Sequence, residues 1–260
     1  MRVLITRPRA QAEHWVQALR REGLEAHALP LIEIAPVADR LALDAAWQGL
    51  SVYSALMFVS ANAVEAFMSA RPPGLDRLPP GLLACSTGSG TIRALLAAAW
   101  PPENCIQPAS DASVDSEGLW AQLSQRDWGG RRVLIVRGQE GRSWLMQQWQ
   151  QAGATVDVVV AYERKLPIWS DDESHWARQA LANPSQTLWS LTSSEAVRHL
   201  GQLMPGPASQ WLASHAVVTH PRIAASAHDL GFGDVQTVPP DLSALIAHAR
   251  QVSLATGVAP

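Results

Sequence analysis

Four short turns rich in serine, threonine and glycine are the stretches of this sequence best suited to chemistry, each standing where an apolar run gives way to a helical pattern. They lie at 60–62 (Ser60, Asn62), 86–91 (Ser86, Thr87, Gly88, Thr91), 137–141 (Arg137, Gly138, Gly141) and 192–194 (Thr192, Ser193, Ser194). The first turn of a helix leaves backbone N–H groups unsatisfied and carries partial positive charge, so turns of this kind hold anions such as carboxylates. Arg7 and Arg137 close two apolar runs, VLITR and VLIVR, and a guanidinium there adds a bidentate carboxylate contact. Plain helix capping, worth about 1 kcal/mol, is the competing use of each turn, and a salt bridge bracing the turn is that of each arginine. Both uses stay open at the level of single residues.

Other chemistries find less support. The eight histidines form no HExxH-like pair, so metal binding is not expected. Cys85 and Cys105 have neither metal-ligand nor redox spacing and read as reduced residues of a cytoplasmic protein. A net charge of −3 argues against broad nucleic-acid binding, which needs a basic face. The eleven tryptophans are scattered rather than interleaved with Lys and Arg, as expected of core packing. Gly88-Ser89-Gly90 suggests a dinucleotide fingerprint, but Arg93 occupies the place of its third glycine, and the signal is weak.

These turns need a frame, and 260 residues at 47% hydrophobic content supply one or two α/β cores. No apolar run approaches the ~18 residues that span a bilayer, and Met1-Arg2 leads straight into an apolar strand, so neither membrane insertion nor export is expected. Strand and helix patterns alternate along the chain: strand at 3–6, helix at 10–22, an extended segment at 24–34, helix at 41–50, strand at 55–59 and a helix opening at Ser60. Strands at 82–85, 133–136, 156–160, 187–191, 217–219 and 235–238 follow, with helices between them and a last helix at 242–254. Such alternation predicts parallel sheets.

The pattern repeats itself. VLITR at 3–7 corresponds to VLIVR at 133–137 and Gly23 to Gly153, while SANAV at 60–64 corresponds to SSEAV at 193–197 and Ser86 to Thr219. Near-constant offsets at four landmarks make the chain two copies of one α/β half. Each copy has a strand–helix–strand beginning and a longer remainder, and exchange of the beginnings between copies is the favoured pairing. The extended segments LPLIEIAPV at 29–37 and VDVVVAYERKLP at 156–167 would then form a two-stranded link, with Tyr162 at its boundary facing the working cleft.

VLITRP at 3–8, LPLIEI at 29–34, FVSANAVEAF at 58–67, STGSGTIRAL at 86–95, VLIVRGQEGR at 133–142, YER at 162–164 and LTSSEAVRHL at 191–200, in that order and spacing, resemble the uroporphyrinogen-III synthase family over essentially the whole chain. The resemblance implies two flavodoxin-like parallel-sheet domains joined by a two-stranded β linker: domain 1 from 1–35 plus 168–260, domain 2 from 38–158, and linker strands at 29–37 and 159–167. It implies cofactor-free cyclisation of the linear tetrapyrrole hydroxymethylbilane to uroporphyrinogen III, with loss of water and inversion of ring D, the substrate held in the interdomain cleft. By resemblance Tyr162 is the proton donor, and Thr6, Arg7, Thr219 and the residues of the four turns bind substrate. Two positions depart from the usual pattern: Val59 stands where a threonine is common, and the turn at 219–222 reads Thr-His-Pro-Arg. A cytoplasmic monomer without metal, nucleic-acid or membrane partner is expected. A transient contact with the preceding pathway enzyme stays open, as does the alternative of a non-catalytic two-domain protein that binds a polycarboxylate.

Overall fold

Short aliphatic runs bounded by turn residues become twelve strands among the described residues, which in this computed structural model are 1–75, 77–141 and 143–256. In chain order the strands are β1 (Arg2–Ile5), β2 (Glu25–Ala28), β3 (Glu33–Pro36), β4 (Ala55–Phe58), β5 (Leu83–Cys85), β6 (Cys105–Ile106), β7 (Arg132–Arg137), β8 (Thr155–Val160), β9 (Tyr162–Lys165), β10 (Thr187–Leu191), β11 (His215–Val218) and β12 (Asp234–Thr237). The helices between them are α1 (Arg9–Arg21), α2 (Leu41–Gln48), α3 (Ala61–Ser69), α4 (Ser89–Ala97), α5 (Ser116–Leu123), α6 (Trp144–Gln151), α7 (Asp171–Ala182), α8 (Ser194–Leu203), α9 (Pro221–Leu230) and α10 (Leu242–Thr256). The extended segment expected at 24–34 divides into β2 and the start of β3, with Pro30 between them, since proline has no N–H to donate to a ladder. The two-residue β6 lies between proline-rich stretches and is too short to carry a periodic signal.

The chain forms two compact units, one from Met1–Glu33 with the chain from Lys165 onward, the other from Ile34–Arg164. The first holds a parallel sheet in the order β12-β11-β10-β1-β2 and the second a parallel sheet in the order β6-β5-β4-β7-β8, while β3 and β9 pair as a separate two-stranded sheet. By the internal repeat β1 corresponds to β7 and β10 to β4, so the two sheets have the same spatial order. Counted along the chain, the first reads 2-1-3-4-5, the flavodoxin order, and the second is its circular permutation, 3-2-1-4-5. Each strand–helix–strand beginning is therefore paired with the remainder of the other copy.

In the middle unit the sheet is buried on both faces, as parallel sheets require. Leu56, Phe58, Leu134 and Val136 enter one core with Trp47, Phe67 and Trp100; Ala55, Met57, Val133 and Ile135 enter the other with Trp128 and Trp149. Alternation along β4 and β7 thus assigns successive side chains to opposite layers. In the other unit Val3 and Ile5 pack on α1 through Ala12, Val16 and Leu19, and Trp211 stacks on Phe232 at 5.1 Å with Trp189 edge-on to both.

Phe67 anchors α3, the helix that starts at Ser60. Its ring is fully buried, stacked on Trp47 at 4.4 Å and edge-on to Phe58 at 5.7 Å. Phe67→Ala is expected to lower stability by about 3–5 kcal/mol, read as a lower midpoint in urea unfolding followed by tryptophan fluorescence.

Candidate active site

Both sheets have a topological switch point, where the chain leaves neighbouring strands in opposite directions and a crevice opens at their carboxyl ends. In the middle unit it lies between β4 and β7, and in the other between β10 and β1. The residues singled out in the sequence fall at these two edges.

In the middle unit Ser60 follows β4 in extended conformation and caps α3, its Oγ accepting a hydrogen bond from Ala63 N–H at 3.2 Å. The same Oγ lies 3.2 Å from the phenol oxygen of Tyr162. Tyr162, the first residue of β9, is only 3% exposed and its ring belongs to the core built around Phe58 and Phe67. Gly138, just beyond β7, makes room for it: a Cβ on Gly138 would stand 2.9 Å from the ring's Cζ and 3.2 Å from its hydroxyl. So the turn after β4, the turn after β7 and the tyrosine converge on one point. A cavity of about 360 Å³ borders Tyr162 and Asn62 on the side of β3, α2 and α3, lined also by Ile34, Val37, Arg40 and Ala66 but not by Ser60 or Gly138. Asn62 sits in the first turn of α3 and is 9% exposed.

Arg137, the last residue of β7, has a buried Nε with no hydrogen-bond partner, while its Nη1 points to the Gly141 carbonyl at 3.4 Å. Gly141 packs against the guanidinium, where a Cβ would lie 3.2 Å from Nη1. At the repeat-equivalent place in the other unit Arg7 also has a buried Nε without a partner. Its guanidinium lies 4.1 Å from the Trp15 ring centroid, and burial pushes its pKa down. A buried N–H donor without an acceptor costs about 1–3 kcal/mol, a debt that a bound anion would remove.

The remaining turn residues divide between structure and open surface. Thr6 is 1% exposed and its hydroxyl donates to the Ser190 carbonyl at 2.5 Å, tying β1 to β10. Ser86 is fully buried, its Oγ accepting from Gly88 N–H at 3.4 Å, and Thr91 is 6% exposed. Neither Thr6 nor Ser86 has a hydroxyl free to meet a ligand from outside. Thr87 and Gly88 are half-buried at the start of α4. Gly88 adopts φ −108°, and a Cβ on it would meet only Thr91 Oγ1, at 3.9 Å. No packing contact or backbone angle within the chain requires glycine at Gly88. Ser193 caps α8 by accepting from Glu195 N–H at 3.2 Å, Ser194 donates to the Arg222 carbonyl at 3.4 Å, and Thr192 and Thr219 are half-buried at the ends of β10 and β11. The turn at 219–222 is capped by His220, whose Nδ1 accepts from Arg222 N–H at 3.0 Å ahead of Pro221. Proline at the first helical position is the signal for this cap.

Elsewhere, burial pushes the Cys85 thiol up to about 12, which rules it out as a nucleophile at neutral pH. Among the described residues no group of three or more His, Cys, Asp or Glu side chains could hold a metal ion.

A family model, uroporphyrinogen-III synthase HemD, matches residues 13–247. The chain belongs to the uroporphyrinogen-III synthase family. Among similar proteins named uroporphyrinogen-III synthase, that of Synechococcus elongatus is 32% identical over 207 residues, 78% of this chain and 74% of the relative. That of Escherichia coli is 29% identical over 248 residues, 91% and 94% of the two chains. In fold the chain is similar to uroporphyrinogen-III synthetase from Helicobacter pylori (TM-score 0.59, 17% identity, 96% and 98% of the two chains covered). It is also similar to a mutant uroporphyrinogen III synthase from Thermus thermophilus (TM-score 0.56, 16% identity, 98% and 99%). At such identities the structural likeness speaks for the fold alone.

The contact between Gly138 and Tyr162 can be tested directly. Gly138→Ala is expected to cost about 1–3 kcal/mol of stability by overpacking, and the cost should largely disappear in a Tyr162→Leu background, where the ring atoms it meets are gone. Urea unfolding of the two single variants and the double variant checks this coupling.

Proposed function

We propose that this chain cyclises hydroxymethylbilane to uroporphyrinogen III, with loss of water and inversion of the last pyrrole ring. Family membership supports the reaction. The observation that carries it to particular residues is the pair of buried, unpartnered Nε atoms of Arg7 and Arg137, one at the switch point of each sheet. The linear tetrapyrrole bears eight carboxylates, and an arginine fixed at each edge beside helix N-termini gives such a ligand seats in both units without a basic surface overall. Backbone N–H groups of the turn at 192–194 add to these seats.

In the reaction the terminal hydroxyl leaves as water, and the electron-deficient azafulvene so formed is attacked by a substituted pyrrole carbon. Electron-rich pyrrole supplies much of the drive, so the protein acts chiefly by positioning. Tyr162 donates the proton that makes hydroxide leave as water. Its fixed ring and its place between the turns after β4 and β7 support this role. β3 and β9, in which the chain passes from one unit to the other, serve as the linker. The chain works as a cytoplasmic monomer on a small-molecule substrate, a setting that suits its two free cysteines. No described helix is long and apolar enough to cross a membrane.

The test is the isomer ratio. Purified protein mixed with hydroxymethylbilane is expected to yield uroporphyrinogen III well above the isomer I that forms spontaneously; a product no different from the spontaneous one sinks the assignment. Arg7→Gln and Arg137→Gln should each raise KM by about 10- to 100-fold, the value of one charge-assisted carboxylate contact. Tyr162→Phe should lower kcat by about 10²-fold or more with the fold intact, and unchanged turnover in a well-folded Tyr162→Phe variant would remove the phenol from the acid role.

A further inference from the structure

Ser60 is occupied in two directions. Its Oγ accepts the Ala63 N–H at the start of α3 and lies 3.2 Å from Tyr162 Oη, and it is that phenol's one hydrogen-bond partner among the described residues. A serine hydroxyl has one proton and two acceptor sites. With one acceptor site filled by the helix N-terminus, donation to the phenol oxygen leaves the phenol's own proton free to go elsewhere.

The internal repeat supplies an independent observation. Ser193, the counterpart of Ser60, also caps its helix, accepting from the N–H two residues on where Ser60 accepts from the N–H three residues on, so capping alone accounts for a serine at this place. By the same correspondence Tyr162 is matched by Ile32 and Gly138 by Pro8. The phenol and the glycine that admits its ring therefore occur together, in the middle unit only, beside a cap present in both.

We propose that Ser60 is a positioning residue for the reaction, holding the Tyr162 hydroxyl in place and stabilising the phenolate left by proton donation. The inference rests on the proposed cyclisation. In the step it serves, the phenol O–H bond breaks and the proton goes to the leaving hydroxyl oxygen. The C–O bond then breaks with its electron pair on oxygen, and water departs. Ser60 donates to the phenolate oxygen and is itself polarised by the positive end of α3 through Ala63 N–H. The phenolate then recovers the proton that the ring-closing pyrrole releases, so the net change is loss of one water.

Three uses of Ser60 give different kinetics. As support for the phenol, Ser60→Ala lowers kcat about tenfold with KM within about twofold. Ser60→Thr, which keeps the hydroxyl, restores most of the rate, and adding Ser60→Ala to Tyr162→Phe costs little more than Tyr162→Phe alone. As a carboxylate contact it would raise KM and leave kcat unchanged; as a cap only, it would lower stability and leave both unchanged. Either of those results, or full additivity with Tyr162→Phe, overturns the proposal. Should Ser60→Ala fold poorly, Ser60→Gly removes the hydroxyl at little cost to the cap and gives the same readout. Failure of the wild-type protein to form isomer III would instead strike at the reaction itself, and is measured separately.

Discussion

The burial of both faces of each parallel sheet governs where this chain can do chemistry. With Leu56, Phe58, Leu134 and Val136 in one layer and Ala55, Met57, Val133 and Ile135 in the other, β4 and β7 have no open face to offer a ligand. What remains is the edge where the strands end. Because parallel strands all end on the same side, the turns at 60–62, 86–91 and 137–141 collect there together with the N-termini of the helices they open. Helix dipoles favour negative charge at such an edge, which is how a chain of net charge −3 could hold the anionic substrate proposed above.

The repeat makes the same edge twice by different routes. In the middle unit the strands come from one continuous stretch. In the other, β1 and β2 come from the start of the chain and β10 to β12 from its end. Exchange costs nothing in local structure, because β1 beside β10 and β7 beside β4 are equivalent parallel pairings in equivalent register. Hydrophobic period reports which residues enter a core, not which of two equivalent cores, so periodicity alone leaves the pairing open. The two long extended segments, together with the resemblance to the uroporphyrinogen-III synthase family, are what tip the sequence towards exchange.

The same distinction explains what is legible at the site. Strand ends and helix starts follow from local chemistry, so Ser60, Ser193 and the arginines closing VLITR and VLIVR can be placed on turns from their neighbours alone. Whether a hydroxyl then faces out or in depends on contacts far along the chain. Thr6 meets Ser190 across β1 and β10, and Ser86 is sealed beneath the start of α4; neither contact leaves a trace in nearby sequence. Gly138 is readable as a turn glycine, whereas its contact with a ring 24 positions later (162 − 138) is not. The cap at His220 is marked only by the proline behind it, since its turn lacks the glycine and threonine of its counterpart.

The surroundings of Tyr162 suit a phenol better than a carboxyl as the proposed acid. At 3% exposure an ionised carboxylate would carry a large desolvation cost, and a neutral one would need its polar atoms satisfied on a ring-free stem with several rotamers open to it. A tyrosine buries its ring as ordinary core beside Phe58 and Phe67 and leaves a single polar tip to be satisfied. Gly138 fixes where that tip can lie, and the N-cap of α3 places the Ser60 hydroxyl 3.2 Å from it. The hydroxyl is thus held at the switch point by packing alone, which would leave little side-chain entropy to lose in the proposed reaction. The other unit, with Ile32 and Pro8 at the matching positions, keeps the fold but none of these conditions, so the proposed acid has no counterpart there.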